Sequence, residues 1–403
     1  MKIRSITYFC NPEWPLDEKV IRKAGKFLTR ARSKFEAAGY EVQTTRLATT
    51  PFPKLLGKKR IGELPKVAVE LERMIEQAGI AYASLGPALP EIPGSYAMIP
   101  EAIAATKNIF FSGVMADKTR GIDLAAIQAC AEVIVRSAPL DPNGFANLRF
   151  AALANVRAGS PFFPAAYHKG NKPAFAIATE AADQAVEAFS GSKSLAAGRK
   201  ALVSAIEKHA KALGRISEAE LSSVHFGGID FSLAPFPSES LSLGTAFEKL
   251  GVPRIGMHGS LAAAAILTES IDRAHFKRTG FSGLMTPVHE DATLALRAGE
   301  GTLTVKDLLL YSAVCGTGLD TVPLPGDTSA GQIAALLLDI SALAVRLDKP
   351  LTARLMPVHG KKAGEPTTFD FGFFANSRVM ALEAAPLSAP LSGDENVKIK
   401  RRK

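Results

Sequence analysis

The sequence predicts an α/β fold built as one large unit. Three observations carry that expectation. The chain opens β-α-β, short apolar runs go on alternating with amphipathic helical stretches to about residue 357, and no linker or internal repeat divides it. The organisation expected is one domain over 1–385, followed by a basic, disordered tail over 386–403.

Each element follows from its residues. KIRSITYFC (2–10) alternates and favours strand, and Asp17 to Ala38 is a helix, with Val20, Ile21, Ala24, Phe27, Leu28, Ala31 and Phe35 at helical spacing and Gly39 at its end. Tyr40–Leu47 returns to strand, 49–60 is loop, Leu64–Ala78 is a second helix, and 80–85 is a short strand. Three prolines and two glycines make 86–95 irregular. Ile109–Val114 (strand), Ile122–Arg136 (helix) and Leu148–Val156 (strand) continue the pattern, and GSPFFPAAYHKG (159–170) is a loop. Residues 180–224 read as mainly helical, best defined from Leu195 to Leu213. Gly228–Leu233 is a buried strand that breaks at Pro235 and Pro237. Leu261–Ala274 is a helix, 279–291 a Gly/Pro loop, and 291–298 and 304–315 are helices. Leu319–Val322 (strand), Ile333–Leu347 (helix) and Leu351–Met356 (strand) complete the alternation, and Phe369–Phe374 is strand or loop.

Composition narrows the class. Hydrophobic residues make up 47% of 403 and charged residues 22%, ordinary for a soluble globular protein. The net charge is +9, but the last ten residues, DENVKIKRRK, carry five basic and two acidic groups, so +3 of it belongs to the tail. No RRM, KH, helix-turn-helix or zinc-finger pattern accompanies the charge, so nucleic acid is not an expected partner. Cys10, Cys130 and Cys315 lack CxxC spacing and fit a reducing cytosol. No signal peptide and no apolar run of 18 residues is visible, so neither secretion nor a membrane is expected.

The candidate site lies around residues 225–260, where polar groups end buried runs on loops opened by Gly and stiffened by Pro. Asp230 and Ser232 end one such run, and Met257-His258-Gly259-Ser260 forms the next loop. His168, His258 and His289 sit in loops with Gly or Pro and are acid–base candidates, unlike His209 in a Lys-rich helix and His275 in a charged segment. Asp230, Glu290, Asp291, Asp320 and Asp327 occupy loop or strand-end positions, where two across a cleft could act as acid and base; any one of them is more often a helix cap or turn residue, and Asp291 and Asp327 are the capping candidates. Cys315, in CGTGLD, is either an exposed nucleophile or a buried thiol filling a helix end. Its Gly-x-Gly follows a helix and precedes a strand, the reverse of a dinucleotide fingerprint. Arg354, in an apolar strand, requires an anion, from a protein carboxylate or from a substrate. No cofactor motif is present, and a divalent ion held by Asp230, Asp291 and Asp320 rests on carboxylate availability alone.

FGGIDFSLAP, IGMHGS, SGLMTPVHED, SAVCGTGLD and LPGDT, in this order, with KIRSIT and AYHKG before them, resemble the uncharacterised prokaryotic family catalogued as domain of unknown function 711. The resemblance runs from the first strand to Phe374 and is strongest over 225–357. It implies a ten-stranded α/β barrel of the pyruvate formate-lyase-like glycyl radical type, helices outside and the site at the barrel loops. It also implies that Cys315 is the counterpart of the catalytic cysteine that those enzymes carry on a loop inside the barrel. Their RVxG-type radical glycine has no match, because Arg378-Val379-Met380-Ala381 lacks it. Radical chemistry is therefore not expected.

The reading is a cytosolic, homo-oligomeric enzyme, hydrolase or lyase rather than oxidoreductase, acting on a small polar or anionic molecule. His258, His168, Asp230 and Asp320 would be acid–base or orienting groups and Cys315 a nucleophile. Ser232, Ser260, His289, Asp291 and Arg354 would bind substrate. The alternatives are a glycoside hydrolase using a carboxylate pair and a non-catalytic binding or regulatory protein.

Overall fold

Eleven strands form in the computed structural model, which describes residues 1–170 and 172–401: β1 (Lys2–Cys10), β2 (Val42–Thr49), β3 (Tyr82–Ala88), β4 (Ile109–Asp117), β5 (Gly121–Asp123), β6 (Phe150–Ala154), β7 (Ala174–Glu180), β8 (His225–Asp230), β9 (Gly318–Pro325), β10 (Leu351–Val358) and β11 (Asn396–Val397). Nine lie on one path, β8-β7-β1-β2-β3-β4-β6-β10-β9, while β5 pairs with β4 and β11 with β5. The fold is mixed α/β around this large sheet. Strand direction divides it: β1, β2, β3, β4 and β6 run parallel, and the parallel pairs β7–β8 and β9–β10 run against them.

Parallel neighbours need crossovers, and amphipathic helices supply them. Between β1 and β2, Glu18–Ala37 starts at Asp17, whose carboxylate accepts from Lys19 N, and buries Ile21, Leu28 and Phe35. Complete burial of a side chain such as Phe35 stabilises the fold by about 2–3 kcal/mol. Alternate strand residues divide between the two faces of the sheet. On β4, Phe111 joins the large helix-side core, whereas Phe110 packs with Phe9, Ala48, Ala176, Phe163 and Ala166 on the opposite face.

That opposite face is filled by a loop. The segment after β6 doubles back, Gly159 N donating to Tyr167 O at 2.9 Å. Thr7 Oγ1 donates to Pro161 O (3.3 Å), Ser84 Oγ donates to Ala166 O (2.7 Å), and His168 N donates to Thr49 O (2.8 Å). Strand hydroxyls thus satisfy loop carbonyls that would otherwise be buried without partners. Phe162-Phe163 projects at its tip.

The residues read as loop over 279–291 touch both ends of the strand path. Arg278 bridges to Ile229 and Leu284 to Leu233 beside β8, and Pro287 bridges to Asp320 of β9. Two glycines permit the approach. A Cβ on Gly280 (φ +63°) would lie 2.1 Å from Asp230 Oδ2, and one on Gly283 would lie 2.6 Å from the Gly316 Cα.

Some expectations differ from the structure. β7 was not anticipated, because AFAIATE is rich in Ala, a weak strand former; those small side chains leave room beneath the sheet. The helix read as Leu195–Leu213 continues to Glu220. The segment after 385 is not a loose tail: β11 pairs with β5, Leu124 N donates to Glu395 O (3.1 Å), and Arg346 donates to Lys400 O (2.7 Å). Backbone pairing anchors it, and charge counting does not register backbone pairing. Among the described residues no helix is long and apolar enough to cross a membrane.

Candidate functional site

A small cavity of about 90 Å³ lies on the loop-filled face. Its floor is the tip residues Pro161, Phe162 and Phe163. Its walls come from β1 (Arg4), β2 (Thr44, Arg46), β3 (Tyr82), β4 (Phe110), β7 (Ala178, Thr179) and β10 (Arg354), with Met285 and Glu290. Phe371 and Phe373 cover it from the 369–374 loop.

Beneath the walls runs an alternating chain of charges. Arg4 Nη1 donates to Glu180 Oε2 at 2.9 Å, and Gln43 Nε2 donates to the same oxygen at 2.7 Å. The other arm of Arg4 donates to Glu290. Arg354 Nη2 donates to Glu290 Oε1 at 2.7 Å, and its Nε donates to Asp320 Oδ1 at 2.5 Å. Burial works against the charge on Glu290, but Arg4, Arg354 and Arg46 together hold its carboxyl below the usual range. Burial pushes the carboxyl of Glu180 up, against Arg4 and Gln43. Its Oε1 is buried without a hydrogen-bond partner among the described residues.

Arg46 differs from the other two arginines. Its Nε donates to Thr44 Oγ1 (2.9 Å), which in turn donates to Arg4 O (2.8 Å). Its guanidinium lies 5.1 Å from the Phe163 ring centroid and 6.0 Å from that of Tyr82. Among the described residues it forms no salt bridge, and its two Nη groups have no hydrogen-bond acceptor. Burial and the neighbouring Arg4 pull its pKa down to about 9, which leaves it cationic at neutral pH.

Of the residues proposed from the sequence, Arg354, Glu290 and Asp320 belong to this network, and Arg354 is paired with the protein carboxylates of Glu290 and Asp320. His289 lies behind it. Its Nδ1 is 3.0 Å from Ala375 O, and since a carbonyl only accepts, that nitrogen carries the proton. The ring stacks on Phe374 (5.1 Å, 19°) and meets Phe369 edge-on, Nε2 has no partner among the described residues, and burial lowers its pKa to about 4. His289 therefore props the aromatic cover instead of lining the cavity.

The remaining residues lie elsewhere. His258 is exposed in the turn before the Ser260–Arg273 helix, and Ser260 closes that turn, donating to Met257 O (2.7 Å) and accepting from Gly256 N (3.1 Å). Cys315 is buried in the helix-side core and makes no hydrogen bond with a histidine among the described residues. The loop that packs on the opposite face of the sheet is 157–170, and it carries no cysteine. His168 sits on that loop, buried against Phe9, with Nε2 unpartnered among the described residues and its pKa lowered by burial. Asp230 accepts from Phe281 N (3.0 Å), Ser282 N (2.7 Å) and Ser232 Oγ (2.6 Å), so Asp230 and Ser232 fasten β8 to the 278–288 segment. Asp291 caps two helices at once: it accepts from Thr293 N and Leu294 N, from Leu243 N and Gly244 N, and from Ser242 Oγ. Asp230, Asp291 and Asp320 do not converge, and the described residues contain no group of three or more His, Cys, Asp or Glu placed to hold a metal.

Arg4, Arg46, Gln43 and Glu180 escaped the sequence reading. The signal was present, because the argument that singled out Arg354 applies equally to Arg4 in KIRSITYFC and Arg46 in VQTTRLAT. Glu180 ends the unanticipated β7.

Comparison with known proteins agrees with this sequence pattern. Residues 1–376 match the family described as "Uncharacterised ACR (DUF711)". A UPF0210 protein of Pyrobaculum islandicum is 30% identical over 375 residues, covering 88% of this chain and 81% of the relative. One from Oenococcus oeni is 29% identical over 371 residues (88% and 82%), and one from Neisseria meningitidis serogroup C is 28% identical over 368 residues (87% and 81%). The chain therefore belongs to the DUF711 (UPF0210) family.

Proposed function

We propose that this protein binds a small anionic molecule in the cavity beneath Phe371 and Phe373, with Arg46 as the group that meets the charge. One observation carries the reading. Three arginines face the cavity; Arg4 and Arg354 are engaged by Glu180, Glu290 and Asp320, while Arg46 presents an unengaged guanidinium edge on an aromatic shelf. A planar guanidinium fork matches a carboxylate or related oxyanion in two parallel hydrogen bonds.

We also read the sheet as a closed barrel, of the kind the family resemblance implies, with 278–288 as its tenth stave. The support is that this segment bridges to β8 on one side and β9 on the other. Closure makes the cavity an interior site, where weak dielectric screening strengthens a charged contact.

Hydrolase or lyase chemistry would fall to Glu180, not to Cys315 or His258. Its partners Arg4 and Gln43 line the cavity, and its burial-raised carboxyl, whose Oε1 has no hydrogen-bond partner among the described residues, has the character of a proton donor. A glycosidase pair is disfavoured, since Glu290 and Asp320 are both tied to Arg354. The test is a thermal-shift screen of small anions on wild type and Arg46→Met. Saturable stabilisation of the wild type alone supports the reading; equal shifts in both place the binding elsewhere.

A further inference from the structure

Resting on the anion-site reading above, we infer that the ligand is a compact monocarboxylate with an apolar body, and not a phosphate or a dicarboxylate. Three features of the same cavity point to this class.

The first is the count of available donors. Arg46 is held by one edge, through Nε to Thr44, and among the described residues that line the cavity it is the one cation whose Nη edge has no protein acceptor. That edge offers two parallel N–H groups at the spacing of a carboxylate's two oxygens. A phosphate dianion or a dicarboxylate calls for a second cation, and the other two guanidiniums already carry carboxylates.

The second is Glu290, which lines the cavity and is held ionised by the arginines around it. A second negative charge on the ligand would lie beside this carboxylate in a poorly screened interior, where like charges repel strongly. A monoanion with its charge turned toward Arg46 and its body away from Glu290 avoids that repulsion.

The third is the wall and the size. Tyr82, Phe110, Phe162, Phe163 and Met285 are aromatic or apolar and offer few partners to further hydroxyls or charges on a ligand. The volume of about 90 Å³ equals roughly three waters. A carboxylate with a short aliphatic body fits this volume. Phe371 and Phe373 on the cover add to the apolar lining, and Phe373 is itself partly exposed.

Calorimetric titration with propionate, isobutyrate, malonate and inorganic phosphate tests the class, using wild type, Arg46→Met and Arg46→Lys with folding checked by circular dichroism. The expected result is saturable binding of propionate or isobutyrate, at least about tenfold tighter than malonate or phosphate, or about 1.4 kcal/mol. Arg46→Met should lose it, and Arg46→Lys, which keeps the charge without the fork, should weaken it at least about tenfold. Phosphate or malonate binding as tightly, in an Arg46-dependent way, overturns the monocarboxylate class and leaves the anion site standing. Absence of any Arg46-dependent binding among the four anions overturns both. Arg46→Lys binding as well as wild type overturns the bidentate geometry on which the class rests.

Discussion

Glu290 accepts a 2.7 Å hydrogen bond from Arg354, and its other carboxylate oxygen is occupied by Arg4. One side chain thus joins β10 to β1 across the loop-filled face and fastens the end of the bridging segment to both. Glu290→Gln keeps the shape and removes the charge, leaving two buried guanidiniums to share Glu180 and Asp320. The expected loss is about 3–5 kcal/mol in urea unfolding. A loss under about 1 kcal/mol would show that these charges do not tie the segment to the sheet.

Asp291 is expected to matter for stability and not for binding. Its carboxylate receives five donors from two helix starts, so Asp291→Ala should cost about 3 kcal/mol or more. The variant's affinity for a small anion, measured at a temperature where it is folded, should match wild type. A selective loss of affinity with stability intact would return Asp291 to the binding site.

His289 imposes a pH dependence of definite sign. Its folded pKa of about 4 lies below the roughly 6.5 of an exposed histidine, so between these values the unfolded chain binds the additional proton. Stability must then fall as pH drops from about 6.5 to about 4, by about 3 kcal/mol for this group. Glu290, whose folded pKa is depressed, adds its own loss only at lower pH, as it protonates below the usual carboxylate range. Chemical denaturation at a series of pH values should show His289→Phe flattening the upper window and leaving the lower. An unchanged upper slope would mean that His289 is not buried neutral.

Cys315 and His258 are expected to be dispensable for the ligand. His258→Ala, at an exposed turn, should change stability by less than about 0.5 kcal/mol, and both single alanine variants should bind a small anion within about twofold of wild type. A tenfold loss in either would relocate the site toward the residues the sequence first suggested.

The contrast between these residues shows what was legible in the chain. The β-α-β alternation, most helices and Asp291 as a cap follow local rules of periodicity and capping, and the structure bears them out. Arg354 was legible as well, since a guanidinium in an apolar strand must find an anion. Its partners were not fully legible, because the register that joins β7 to β1 comes from pairing residues some 170 positions apart, as in Ile6 with Ile177. His258 and Cys315 were attractive for their chemistry and their glycine-rich neighbours. Glycine there serves turns and close backbone approach: Gly259 is left-handed at the start of a helix, and Gly316 meets Gly283. Flexible-looking loops and reactive side chains are weak guides when the cavity is built from strand interiors.

The most direct test of the Arg46 site is anomalous diffraction from crystals soaked in bromide, a monoanion that locates itself. The account predicts a peak within hydrogen-bond reach of the Arg46 Nη atoms, under Phe371 and Phe373, absent from Arg46→Met crystals treated alike. Peaks only at surface lysines and helix ends, with none at Arg46, would contradict it.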